Sequence, residues 1–163
     1  MEELDLRLNF EMIHSQALLD PGLGIDCLEI GTEISTGPIL VGVDSNEARY
    51  LLLPLHENEA FEEDRQSSAV HLIEITHDGM TYIAARCNNP NLNNVFTYFS
   101  LALLDQVTHG EISPSRAAII TLNQWRKLLE DAPDPLMLSE NKTIGLLAEL
   151  LFLEEILKKQ HHR

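Results

Sequence analysis

The chain has 163 residues, 44% of them hydrophobic, and a formal net charge of -15 from 26 acidic and 11 basic residues. This size and composition fit a globular protein with an ordinary core. No apolar run approaches the roughly 20 residues of a spanning helix, and the acidic start does not fit a signal peptide, so we expect a cytoplasmic protein outside the membrane. The charge would repel DNA phosphates, which argues against direct DNA binding by this chain alone.

The first residues alternate apolar and polar side chains. The apolar positions recur at every second residue: Leu4, Leu6, Leu8, Phe10 and Met12. This period predicts a strand, although the stretch from 12 to 19 fits a helix equally well. The DPGLG segment that follows, with Gly22 and Gly24, predicts a turn.

Two hairpins are predicted downstream. In the first, PILVGV and ARYLLLPL flank the turn residues DSNE at 44–47. In the second, SAVHLIEIT and MTYIAARC flank His77, Asp78 and Gly79, and Asp-Gly favours the positive backbone dihedrals of a tight hairpin. The acidic segment 56–65 between them is interpreted as a solvated loop. Cys27 and Cys87 are expected to be reduced, buried thiols.

The sequence becomes helical after the NNPNLNN break. A first helix is predicted from about Leu92 to Val107, closed by His109 and Gly110. A second opens at Ser113-Pro114, a capping residue followed by proline at the first helical position. A third opens near Ser139. The sequence therefore predicts an α+β fold in which a β-rich part, 1–90, and a helical part, 91–163, pack as one compact unit.

Pro133-Asp134 and Glu140-Asn141-Lys142 spell the PD-(D/E)XK nuclease signature. In that chemistry two acids hold Mg²⁺ and a lysine orients water, so the acids must converge from neighbouring strands. Here the second half begins a predicted helix, with Ser139 as its cap and Glu140 in its first turn. We therefore interpret this match as an interhelical loop. The histidines form no ligand set of recognisable spacing, and we expect no metal or other cofactor in this chain.

Glu149 stands alone in an apolar helical stretch, IGLLAELLFLEE. One helical turn away on either side its neighbours are Gly145, Leu146, Phe152 and Leu153, so it has no polar face to join. A desolvated, unpaired carboxylate is costly, which indicates a partner, a metal or a catalytic task. A basic side chain or a backbone amide elsewhere in the fold would satisfy it equally well.

Several segments between Pro38 and Leu157 resemble the front part of a bacterial family of PD-(D/E)XK-motif proteins. The most specific elements are Trp125 with its Leu-Leu, Ser139, and the block Gly145-Leu146-Leu147-x-Glu149-Leu150. The resemblance implies a restriction-endonuclease-like protein of restriction or anti-phage gene clusters. It also implies that Glu149 lies on the helix before the nuclease sheet and assists Mg²⁺ binding.

This sequence departs from the family in one respect: the strands that carry the Asp and the Glu-x-Lys would follow Arg163. The restriction-endonuclease-like sheet is therefore expected to be missing, and only Glu149 is carried over as a catalytic or metal-binding residue. The chain is either a piece of a longer nuclease or a short relative that has lost catalysis.

Two functional hypotheses remain open. The chain could be the accessory amino-terminal part of such a nuclease-like protein, inactive by itself, or a non-enzymatic module that binds other proteins of a defence complex. An acidic DNA mimic also fits the charge but lacks regular carboxylate spacing. Because the helix from Ile144 to Leu157 is apolar on all sides, we expect self-association through it.

Overall fold

The protein has an α+β architecture in a computed structural model that describes residues 2–19 and 24–131. Its elements are α1 (Glu3–Leu19), β1 (Ile25–Ile34), β2 (Gly37–Asp44), β3 (Arg49–Pro54), β4 (Val70–His77), β5 (Met80–Cys87), a short 3₁₀ turn (Pro90–Leu92), α2 (Asn93–His109) and α3 (Pro114–Asp131). The chain divides into two compact units, Met1–Glu130 and Asp131–Arg163. The predicted α+β fold is confirmed, whereas the helix predicted from Ser139 lies outside the described residues.

The strands form one antiparallel sheet in the order β1-β2-β3-β5-β4. Both predicted hairpins are confirmed, as β2 with β3 and as β4 with β5. At the second turn, Asp78 and Gly79 have φ angles of 49° and 79°, which are the positive values of a type I′ hairpin turn. Because β5 lies between β3 and β4, the second hairpin joins the first through its second strand.

The strand predicted from the amino-terminal alternation is wrong, because these residues form helix α1. Leu6, Phe10 and Ile13 are buried, at 0%, 0% and 2% exposure, whereas Leu8 is 50% exposed. Side chains at 6, 10 and 13 share one face of a helix, and a residue two positions away points roughly 160° from it. The alternation favours a strand, but burial of Leu6, Phe10 and Ile13 against the sheet requires a helix, and this burial decided the structure.

Strand β1 was not predicted from the sequence. It pairs with β2, and its register shifts between Glu29 and Glu33 around Gly31, whose φ is 79°. Its first residues lie close against β2: a Cβ added to Gly42 would be 2.8 Å from Ile25 Cγ2. The absence of a side chain at Gly42 therefore leaves the space that Ile25 and Cys27 of β1 occupy.

The three helices pack together through a chain of aromatic rings. Phe10 of α1 contacts Phe96 of α2 with ring centroids 5.9 Å apart, and Phe96 stacks on Phe99 at 5.8 Å. Phe99 in turn meets Trp125 of α3 edge-on at 5.9 Å. The predicted helices at 92–107 and from Ser113 are confirmed as α2 and α3, and their aromatic residues join them to α1.

The two faces of the sheet carry different side chains. The guanidinium of Arg49 on β3 lies 5.2 Å from the centre of the Phe10 ring, so alternation places 49, 51 and 53 toward the helices. Tyr50 and Leu52 point to the opposite face, where they pack with Leu40, Tyr82 and Ala84. This opposite face holds the polar network described below.

The two cysteines lie on opposite faces of the sheet. Cys27 pairs with Gly42, which pairs with Tyr50, and so shares the face of Tyr50. Cys87 follows Arg86, the partner of Tyr50 on β5, and therefore points the other way. Both thiols are free, as expected, and Cys87 is buried while Cys27 is half-buried.

Candidate functional site

The site residues singled out in the sequence lie outside the described part of the chain. This holds for Glu149 and for Asp134, Glu140 and Lys142 of the PD-(D/E)XK match. Their roles stay predictions. The site that the structure does describe is a polar network at one end of the sheet, on the face opposite to the helices.

Asp44, Tyr50 and Arg86 form the centre of this network. The Tyr50 hydroxyl donates to Asp44 Oδ2 at 2.7 Å, and Arg86 Nε donates to the Tyr50 hydroxyl at 2.8 Å. Arg86 also approaches Asp44 Oδ2 to 3.4 Å and donates to Asn88. Each group thus has a charged or polar partner, which rigidifies the end of three neighbouring strands.

The β2–β3 turn positions Asp44. Its second oxygen, Oδ1, accepts hydrogen bonds from the backbone of Asn46 at 2.9 Å and Ala48 at 3.0 Å. This is the local side-chain-to-backbone pattern by which aspartate favours turns. Glu47 completes the turn with a positive φ of 65°. The DSNE turn therefore positions the carboxylate through hydrogen bonds within the β2–β3 turn itself.

Burial and hydrogen bonding shift the pKa values in this network. Burial alone would raise the pKa of Asp44, but the hydrogen bonds from Tyr50, Ala48 and Asn46 and the charge of Arg86 hold it below the ordinary 3.8. Burial and the bond to Asp44 raise the pKa of Tyr50 to about 12. At neutral pH the network therefore contains a carboxylate, a neutral phenol and a guanidinium.

The acidic segment 56–65 is a mostly exposed loop between strands, as predicted, but two of its carboxylates anchor it to the fold. Glu59 Oε2 accepts from the backbone N–H of Ser115 at 3.1 Å, in the first turn of α3. Asp64 exchanges two backbone hydrogen bonds of 2.9 Å with Leu72 on the edge strand β4. Its carboxylate also pairs with Arg126 of α3. These contacts join β4 to α3 and cover the outer edge of β4.

Two clefts meet at the exposed His56. One, of about 560 Å³, is lined by Glu33, Glu111 and residues of the α2–α3 connection. The other, of about 520 Å³, is lined by Glu57, Glu59, Glu74 and the β4–β5 turn. Within residues 2–19 and 24–131, however, no group of three or more His, Cys, Asp or Glu side chains is arranged to hold a metal ion. The Mg²⁺ site that the sequence resemblance implies involves Glu149, which lies outside these residues.

The network of Asp44, Tyr50 and Arg86 was not found from the sequence. The sequence did contain an indication of the pair Asp44 and Tyr50. Asp44 opens a predicted turn, and Tyr50 follows six residues later, on the strand that returns from it. Arg86 had no such indication, because it reaches Tyr50 through the pairing of β3 with β5, which are not consecutive strands. The anchoring of the acidic segment also depends on partners more than fifty residues away along the chain.

The comparisons with known proteins give one match. The sequence model of the DUF4420 family, described as "Putative PD-(D/E)XK family member", matches residues 22–163. No curated protein and no solved structure matches the chain significantly. Among the described residues, no helix is long and apolar enough to cross a membrane.

Proposed function

Because the chain belongs to the DUF4420 family of PD-(D/E)XK-like proteins, we propose that it is the accessory amino-terminal part of a nuclease-like protein. In this proposal the protein acts in a bacterial restriction or anti-phage system, in the cytoplasm, and this part of it is catalytically incomplete. The described residues, 2–19 and 24–131, form a scaffold, and the metal-dependent chemistry is contributed from outside them.

The observation that supports the accessory role is how the described carboxylates are used. PD-(D/E)XK chemistry requires two acids and a lysine that converge on Mg²⁺. Asp44 is bound by Tyr50 and two backbone amides, Glu59 by α3, and Asp64 by Arg126. These carboxylates stabilise turns and connections between elements, and they do not converge on a common point.

Glu149 is the residue that we propose for the active site. In a complete relative it would bind Mg²⁺ together with acids on further strands, and it would have no such role in their absence. We also propose that the apolar segment from Ile144 to Leu157 mediates self-association. Direct DNA binding by this chain alone is not part of the proposal, since the net charge is -15.

The first test is a cleavage assay with the purified chain, plasmid DNA, and Mg²⁺ or Mn²⁺. We expect no cleavage, and no mobility shift of duplex DNA at micromolar protein and physiological salt. Cleavage that is lost in both Asp134→Ala and Lys142→Ala would contradict the proposal, because it would make the PD-(D/E)XK match in this chain catalytic. Because the parent chain is expected to be inactive, the role of Glu149 is tested by Glu149→Gln in a longer form of the protein that carries the further strands, where the substitution should abolish Mg²⁺-dependent cleavage.

The second test is to read the gene beyond the codon for Arg163. The accessory role predicts strands that carry an Asp and a Glu-x-Lys. A stop codon there would instead favour a non-enzymatic interaction module of a defence complex. One observation favours this second candidate: α1 exposes large apolar side chains, including Leu4 and Leu18 at 59% and 64%.

A further inference from the structure

Helix α1 has a second apolar face that points away from the fold. We name it the outer stripe, and it consists of Leu4, Leu8, Met12 and Leu18, which are exposed by 59%, 50%, 51% and 64%. Single exposed apolar residues are ordinary on protein surfaces. Four large ones on one side of a single helix are more than such scattered exposure, and exposed apolar surface of this kind marks interaction sites.

Helical geometry places these four residues on one side. At about 100° per residue, Leu4, Leu8 and Met12 fall within about 80° of each other, and Leu18 lies about 40° beyond Leu4. The buried residues Leu6 and Phe10 lie on the opposite side. The outer stripe is about 21 Å long at 1.5 Å per residue, which is long enough for roughly four turns of a second helix.

The charges beside the outer stripe are negative. Asp5 and Glu11 on α1 are exposed, with Asp5 next to Met12 around the helix and Glu11 between Leu4 and Leu18, and the one arginine of the helix, Arg7, is paired with Glu3 one turn away. The whole chain has a formal charge of -15. A second copy would bring the same carboxylates to the contact, and like charges disfavour it. A partner with basic residues beside its apolar face is complementary to this surface.

We propose that the outer stripe of α1 is a docking surface for a basic amphipathic helix of another protein. The partner's apolar face covers Leu4, Leu8, Met12 and Leu18, and its Lys or Arg residues face Asp5 and Glu11. This is the helix-on-helix form of peptide recognition, with anchors spaced one turn apart. The inference stands on α1 alone and does not depend on the proposed role in a nuclease-like protein.

The test uses a fluorescein-labelled helical peptide of about 18 residues, with a leucine stripe flanked by lysines, and measures anisotropy on titration with the full chain. We expect saturable binding that weakens as salt rises from about 0.05 M to about 0.5 M. The double variant Leu8→Ser with Met12→Ser should bind at least about tenfold more weakly. Ile119→Ser is the matched control, since Ile119 is 41% exposed on α3, and it should bind like the parent chain.

A second peptide has the same leucine stripe but glutamates in place of the lysines. It separates the electrostatic contribution to binding from nonspecific hydrophobic binding. It should bind at least about tenfold more weakly than the lysine peptide. Equal binding of the two peptides, no binding of the lysine peptide, or unchanged binding by the double variant would each overturn the proposal. A dimer in sedimentation velocity that the double variant abolishes would also overturn it, because the occupant would then be a second copy. Circular dichroism of the double variant must match the parent chain.

Discussion

Tyr50 donates its hydroxyl proton to Asp44 across the β2–β3 hairpin, at 2.7 Å, while the same oxygen accepts from Arg86. The side chain of Asp44 is 13% exposed and that of Arg86 is 27% exposed. The phenol therefore joins a carboxylate and a guanidinium that solvent reaches only partly. The relationship connects β2, β3 and β5, and its contribution to the fold can be measured directly.

Tyr50→Phe keeps the ring and removes the hydroxyl that satisfies both neighbours. Leaving partly buried charged groups without this partner should lower the free energy of unfolding by about 1–3 kcal/mol. Urea unfolding followed by circular dichroism measures the change. Tyr98→Phe on α2 is the control, because its hydroxyl makes no hydrogen bond within residues 2–19 and 24–131, and it should stay within about 0.5 kcal/mol of the parent chain. An equal effect of the two substitutions would contradict the role of the network.

The pKa of Asp44 predicts how the network responds to acid. Because this pKa is lower in the folded chain than the ordinary 3.8, ionised Asp44 favours folding. Its contribution is fully present above the unfolded value and is lost as pH falls through the folded value. Asp44→Asn should therefore be less stable than the parent chain at pH 6, with a gap that narrows below about pH 4. Urea unfolding at several pH values measures this difference in the free energy of unfolding. Glu29→Gln, at an exposed position, is the control. A difference between Asp44→Asn and the parent chain that widens toward low pH would contradict the prediction.

A pair of leucine substitutions distinguishes helix α1 from a strand. In a strand, Leu6 and Leu8 would share one face and lose similar stability on truncation. In α1, Leu6 is fully buried and Leu8 is half exposed. Leu6→Ala should cost about 2–5 kcal/mol and Leu8→Ala less than about 0.5 kcal/mol in urea unfolding. Similar costs for the two would mean that the amino-terminal residues do not pack as described.

The two thiols should react slowly at neutral pH. Burial is the main cause that raises the pKa of both Cys27 and Cys87 to about 11. At pH 8 only about one thiol in a thousand is then a thiolate, the reactive form. Alkylation by iodoacetamide, followed by mass spectrometry, should be much slower for the folded chain than for the chain in urea. Mild oxidation should give no internal disulfide, and rapid formation of one would contradict their placement on opposite faces of the sheet.

The sequence by itself determined the elements whose signals are local. The DSNE and Asp78-Gly79 turns carry their own backbone preferences, so both hairpins were predicted near their true positions. Ser113 and Pro114 likewise marked the start of α3, where the backbone N–H of Arg116 is 3.4 Å from the Ser113 hydroxyl. In each case the deciding interactions lie within a few residues along the chain.

Tertiary structure decided what local pattern left ambiguous. The alternation from Leu4 to Met12 puts the apolar residues on one face of a strand or on two opposite stripes of a helix, and packing of Phe10 against Phe96 and Arg49 selected the helix. The network of Asp44, Tyr50 and Arg86 required β3 to pair with β5. No turn joins these two strands, so no turn sequence could indicate that they pair. The acidic segment had the composition of a solvated loop, yet Glu59 and Asp64 found partners on α3. Hydrogen bonds and burial between segments distant in sequence outweighed the local preferences at these sites, because only the folded chain brings the partners together.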